Sequence, residues 1–418
     1  MQPASEIAAP ALGPAPTGIA GLEIEAGFAP EGPSDSWVVV GSSMVIGTVA
    51  LMILGIQPIL LGALAQEGRV NEASLGWLAT VEVLALAIGS AVGAHVLSRG
   101  KIAARVAIGT LLLAALDAAI YASHGSIMLF LTRGAAGFVE GFILGAAIVV
   151  ITHSRRPDRL NGLFLALQTI PQAVLAYALP AYLLPRIGAD GGFAILAVLA
   201  ALSAAAALAL TERVPPIAAQ APSGGKVWTL PVLGILLGIT LQNAAIGGAW
   251  DYAERIAAQF HIPADIAGSA LAVSLLAQVA GAFAVAGFAW RLPFRIVTVV
   301  GPLCQAIVIV LIASAQSNAV YFIGTGLFGL FWLALNPFQV ALLIDMEPSR
   351  RAVMLGTAIT IFGLSAGPFL SSFGVAPGDV RGAFYIAALL TALGAAVFAL
   401  SMTLHYRAKP ARARSGAL

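Results

Sequence analysis

The segment IMLFLTRGAAGFVEGFILGAAIVVIT, residues 127–152, decides how this chain must be read. It runs for 26 residues with two charges, Arg133 and Glu140, among apolar, small or hydroxyl side chains. At ~1.5 Å per residue, a helix of that length crosses the roughly 30 Å hydrocarbon core of a bilayer. A helix on the surface of a soluble domain carries a polar face, and this one has none. Both charges then sit in hydrocarbon, where each is costly and needs a reason.

The rest of the chain is of the same kind. Of its 418 residues, 60% are hydrophobic and 10% charged, and the mean hydropathy is +0.95. Soluble domains carry about 25% charged residues. The apolar runs are continuous rather than alternating every second residue, which excludes a transmembrane β-barrel. The expected fold is therefore an all-α membrane protein. Twelve spans are read at 37–64, 75–97, 102–122, 127–152, 160–184, 193–210, 227–249, 266–290, 294–314, 319–344, 352–373 and 383–404. Prolines 58, 171, 180, 231, 337 and 368 fall inside them and predict kinks. The single cysteine, Cys304, excludes an internal disulfide and a cysteine-cluster metal site. The five histidines are scattered without ligand spacing, so no metal is expected.

Basic residues give the orientation. The even-numbered connections and the C-terminal end hold sixteen Lys and Arg, and the odd-numbered ones hold only Arg69, Arg186, Arg255 and Arg381. The positive-inside rule puts both termini in the cytoplasm of a multi-pass protein of the cytoplasmic (inner) membrane. Residues 1–36 are acidic and rich in Ala and Pro, with no Lys or Arg, and read as a disordered tail rather than a secretory signal. Residues 407–418 read as a basic cytoplasmic tail.

The Pro/Gly/Ser-rich segment 211–226 lies halfway along and separates two bundles of six helices, 37–210 and 227–406. A shift of 192 residues places Gly76 on Gly268, Gly89 on Gly281, Gly109 on Gly301, Gly134 on Gly326 and Gly137 on Gly329. Five of the ten glycines between 76 and 145 thus land on glycine, where chance gives about one at 45 in 418. Halves of parallel topology, related by an axis along the membrane normal, follow from an even number of helices per repeat.

Two six-helix halves with a central linker resemble the major facilitator superfamily of transporters. Arg133 and Gly137 are similar to that family's fourth-helix motif, an Arg followed four residues later by Gly. The loop GAHVLSRGK, 93–101, resembles its signature G-x-x-x-D-R-x-G-R through Gly93, Gly100 and Lys101, with Leu97 and Ser98 in place of the Asp and Arg. The resemblance implies a gating loop there, alternating access, and a cavity lined by spans 1, 4, 7 and 10. The glycine-rich fifth-helix pattern usual in the family's proton-driven exporters is absent from span 5, which favours import.

Four ionisable residues lie inside the first half's spans: Glu82, Asp117, Arg133 and Glu140. The first three are each roughly 10 Å deep, so Asp117 and Arg133 are expected to pair across the hairpin of spans 3 and 4. Glu140, two turns beyond Arg133, is expected to lie out of its reach. Three acids against one base leave a surplus of negative charge, and desolvation favours a protonated carboxyl. Glu140, Asp117 and Glu82 are the candidates for proton coupling, Glu140 foremost; sodium would suit the same carboxylates. Arg133 is either a structural strut or a substrate contact.

The second half shows no charge deep in a span, with Asp251 at the outer end of span 7. It offers Gln242, Asn243, Trp332, Asn336 and Gln339 instead, which suit a small organic molecule needing hydrogen bonds and a flat apolar contact. The same amides also serve to bond helices together. The expected function is secondary active transport of a small organic solute, by proton-coupled symport. A proton-driven exporter of amphipathic compounds and a passive facilitator are the alternatives. No clustered nucleophile–base set points to an enzyme, and no cofactor beyond the coupling ion is expected. The expected partners are the solute and membrane lipids, with no nucleic acid, for a monomer.

Overall fold

The computed structural model describes residues 36–98, 101–123, 125–154, 157–210, 228–288, 291–348 and 351–415. The acidic tail, the linker 211–226 and Gly100 of the expected gating loop lie outside the described residues. Helices α1 (Trp37–Ala50) and α2 (Met52–Gln66) form one broken span, and α3 (Glu72–Leu97) returns. Asn71 caps α3, its side chain accepting from the Ser74 N–H at 2.7 Å. Next come α4 (Ile102–Ala118), extended by a 3-10 turn to Ala122, and α5 (Ser126–Thr152). Helix α6 (Pro157–Ala178) runs through a π-turn, Leu179–Leu183, into α7 (Leu184–Ala207). The second half holds α8 (Leu230–Asp251), α9 (Ala253–Gln259), α10 (Ala264–Phe288), α11 (Phe294–Ala313), α12 (Asn318–Ala334), α13 (Asn336–Met346), α14 (Arg351–Ser372) and α15 (Arg381–Ser415).

Among the described residues, ten helices are long and apolar enough to cross a membrane. One of them, Arg159–Ala207, runs 49 residues and holds both the fifth and sixth expected spans. Gly188 breaks it with φ 63°, a conformation that side chains with a Cβ resist. Glu67 fixes the turn by accepting from the Ala189 N–H at 2.7 Å. The eleventh expected span is the shorter apolar stretch Ala358–Ser372 within α14. Not every proline kinks its helix. Pro231 and Pro337 stand in the first turn of α8 and α13, where a missing N–H costs nothing.

The repeat is visible in what each glycine touches. A Cβ on Gly89 would strike the Phe138 carbonyl at 2.0 Å, and one on Gly281 the Leu330 carbonyl at 2.5 Å. Gly137 meets the Glu82 carbonyl and Gly329 that of Ser274; Gly109 meets Ile143 and Gly301 meets Leu335. In every pair the partners stand the same 192 residues apart as the glycines. Gly76 against Pro368 and Gly268 against Ala176 obey the rule across the interface between halves. That interface is built by α3 on α14 and α6 on α10. By the alternation of spans, the start of α1 and the end of α15 lie at one end of the bundle, called the terminal end; the connection 67–71 and helix α9 lie at the far end.

Candidate functional site

The close approach of α3 to α5 at Gly137 sets Glu82 beside Arg133, one turn away on α5. Helix α4 brings Asp117 to the same point, and Arg133 is fully buried. Its Nη1 donates to Asp117 Oδ1 at 2.6 Å and its Nη2 to Glu82 Oε1. The guanidinium stacks over the Phe193 ring of α7, 4.8 Å from the centroid. Glu140 also reaches it, with Oε1 3.5 Å from Arg133 Nη2. This corrects the expectation that Glu140 lies out of range. Helical side chains lean toward the N-terminus, so the Glu140 carboxyl points back down α5 at the long arginine.

Three carboxyl groups therefore share one guanidinium, and their satisfaction is unequal. Glu82 Oε2 accepts from Gln57 Nε2 of α2 at 3.2 Å. Glu140 Oε2 is buried and has no hydrogen-bond partner among the described residues. Gln57 extends the cluster to the interface between halves, where it lines a small central cavity with Val83, Gly247, Trp250, Asp251 and Trp332. That cavity is ≈ 10 Å³, about the minimum one water needs. The rings of Trp250 and Trp332 meet edge to face at 5.4 Å.

Asp251 ends α8, as expected, but it is buried rather than exposed. It is 2% exposed, because α9 folds over the end of α8 and the halves close around it. The amides behave differently from a cavity lining. Gln339 donates to Gln242 at 2.5 Å and Gln242 donates to Gln305 at 3.0 Å, tying α13, α8 and α11 together. Asn243 donates to the Ile239 carbonyl of its own helix at 2.9 Å. Asn336 is half-buried at the break between α12 and α13. Of the five residues assigned to a substrate cavity, Trp332 is the one that lines the central cavity. Of the expected gating loop, Gly93 lies within α3 against the Phe142 carbonyl, while Lys101 is exposed at the start of α4.

The far end is bolted shut between the halves. Gln66 donates to Glu254 at 2.9 Å, Arg255 to Glu72 at 2.9 Å, and the Tyr252 hydroxyl to the Glu72 carbonyl at 3.1 Å. Trp250 donates to the Leu54 carbonyl at 2.8 Å and the Phe369 N–H to Thr80 at 3.0 Å. Burial pushes the Glu254 carboxyl up to about 7, against the pull of Arg255 and Gln66. Toward the terminal end a cavity of ≈ 450 Å³ opens between α6 and α10, lined by Arg159, Gly162, Ala166, Val279, Phe283 and Leu333. The site residues Gln57, Trp250, Asp251 and Gln305 were missed in sequence. Asp251 follows the apolar run by two residues, and nothing local distinguishes it from a surface acid.

No protein-family model matches the sequence, and no curated protein is similar to it at a significant level. Solved transporters share its fold. A bacterial homolog of the human lysosomal transporter Spinster, inward-facing and unoccupied, is 13% identical with a TM-score of 0.67, over 90% of this chain and 99% of that one. A point mutant of the nucleoside transporter NupG is 14% identical with a TM-score of 0.63, over 87% and 99%. The partially occluded, inward-open xylose transporter XylE from E. coli is 13% identical with a TM-score of 0.61, over 85% and 96%. The chain thus shares the fold of these solved transporters.

Proposed function

We propose that this chain, with its major facilitator fold, is a secondary active transporter that moves a small organic solute by alternating access and couples it to protons. One observation carries the reading. Arg133 is shared by Glu82, Asp117 and Glu140, and Glu140 keeps one buried oxygen with no partner. Such a surplus of acid in hydrocarbon is stable only if a proton, or another cation, joins it.

Side-chain hydrogen bonds join the halves at the far end and a cavity opens between α6 and α10 toward the terminal end, which fits one state of an alternating cycle. The distribution of basic residues places the terminal end in the cytoplasm, so the cleft faces inward across the cytoplasmic membrane. The solute enters from that cleft or from the opposite side toward Trp332 and Trp250, whose flat faces suit an apolar or aromatic portion. Glu140 takes and releases the coupling proton, and Glu82 and Asp117 hold Arg133 in place while it does so.

A thermal-stability screen of the purified protein against a metabolite library identifies the solute, since a ligand of the folded state raises the melting temperature. Vesicles containing the protein should then accumulate that solute only with a proton gradient. Glu140→Gln should lose accumulation and keep exchange between preloaded vesicles. Full accumulation by that variant, or accumulation by the wild type without a gradient, would refute the reading.

A further inference from the structure

Among the described residues, Asp251 is the one buried acid at the centre that the Arg133 cluster does not hold. It lies 2% exposed on the cavity between the halves, with no hydrogen bond or ion pair among the described residues. An ionised carboxylate so placed would forfeit its hydration and gain nothing in exchange, which is strongly unfavourable. No element packed around it supplies a counter-charge among the described residues. From α3 the lining residue is Val83, and its neighbour Glu82 is itself an acid already held by Arg133. From α2 there is only Gln57, and α14 offers no titratable side chain at that level. Beyond the end of α8 come Tyr252, Glu254 and Arg255, and the last is engaged by Glu72 and Glu254.

We propose that Asp251 is a proton-binding site in its own right, and that its proton is what allows the far end to close. The carboxylate takes one proton from solution at the far end while that end is open. Neutral, it can be enclosed among Gln57, Val83 and Trp332. When it ionises, an unpaired carboxylate stands between the halves, and its rehydration drives the far end apart. The proposal rests on the transporter reading above but not on Glu140, which lies within one half and moves with it.

The far-end groove supplies the reporter. It is lined by Ala73 from the first half and Pro377 from the second. In a Cys304→Ser background, Ala73→Cys and Pro377→Cys are cross-linked with a short bifunctional thiol reagent in vesicles across a pH series. The wild-type core should cross-link fully at acid pH and progressively less as pH rises. Asp251→Asn, the isostere of the protonated acid, should cross-link at the acid level throughout. Glu254→Gln removes the other titrating acid at this interface and should retain a pH response, as should Glu140→Gln.

A pH response unchanged in Asp251→Asn overturns the proposal. So does its loss in Glu254→Gln, a flat response in the wild type, or a response to sodium at fixed pH in its place. If Asp251→Asn fails to fold, the infrared band of a protonated carboxyl decides in Asp251→Glu and the wild type: a pH-dependent band that shifts between the two supports the proposal, and an identical band contradicts it. Should Glu140→Gln transport normally while the Asp251 response stands, the coupling role of Glu140 fails and this one does not.

Discussion

Arg133 has two carboxylates in hydrogen-bonding range and a third at 3.5 Å, all deep inside the first half. Removing one member of such a cluster strands the others, at a cost of about 3–5 kcal/mol. Asp117→Asn and Arg133→Gln should each lower the melting temperature of the purified protein, and the double variant should be no worse than Arg133→Gln alone. Strictly additive losses would mean the two act separately. Glu254 carries a pH prediction of definite sign. Its carboxyl is raised from the ordinary 4.5 to about 7, so the folded closed molecule holds a proton that the unfolded chain releases. Stability from this group is full below about 4.5 and declines as pH rises to about 7. Melting temperatures at pH 5 and pH 8 should differ less in Glu254→Gln than in the wild type, and an unchanged difference would contradict the assignment. The Asp117–Arg133 meeting was legible because depth along two adjacent helices follows from counting residues. Asp251 was not, because its burial comes from α9 and the opposite half, which no local pattern encodes.

At the scale of elements, glycine is what lets the helices approach, and the sequence repeat reports where. Gly89 and Gly281 each face a carbonyl of the neighbouring helix closer than any Cβ permits. Gly134 and Gly326, on the facing helices α5 and α12, meet only Val81 and Val273 methyls, at 3.1 and 3.5 Å. Gly89→Val and Gly281→Val should both abolish monodisperse protein in size-exclusion chromatography, while Gly134→Ala and Gly326→Ala should keep it with a change of about 1 kcal/mol or less. Unequal outcomes within a symmetric pair would break the equivalence of the halves. The pairs were readable because close packing restricts residue type. The turn between α6 and α7 was readable too, since Pro, Gly and Asp separate two apolar stretches, and the non-helical Gly188 with the Ala189 N–H bonded to Glu67 makes that turn. The amides of α8 and α13 were legible only in part. Their spacing on one face was visible, but whether they turned to a cavity or to each other depended on α11, which brings Gln305 between them.

For the whole molecule, the proposed transport cycle has the far-end bolts break and the terminal-end cleft close as the two halves rock about the central acids. The bolts are few and polar, so breaking them costs little compared with unpacking a half. The most direct test of alternating access is a pair of distance measurements by electron spin resonance on the purified protein in lipid. One pair of labels goes at the far end, on Ala73→Cys and Pro377→Cys, and a second at the terminal end, on Gly162→Cys and Phe283→Cys, each in the Cys304→Ser background. As the pH is raised, the far-end distance should lengthen while the terminal-end distance shortens. Fixed distances at both ends, or both distances changing in the same direction, would contradict the account.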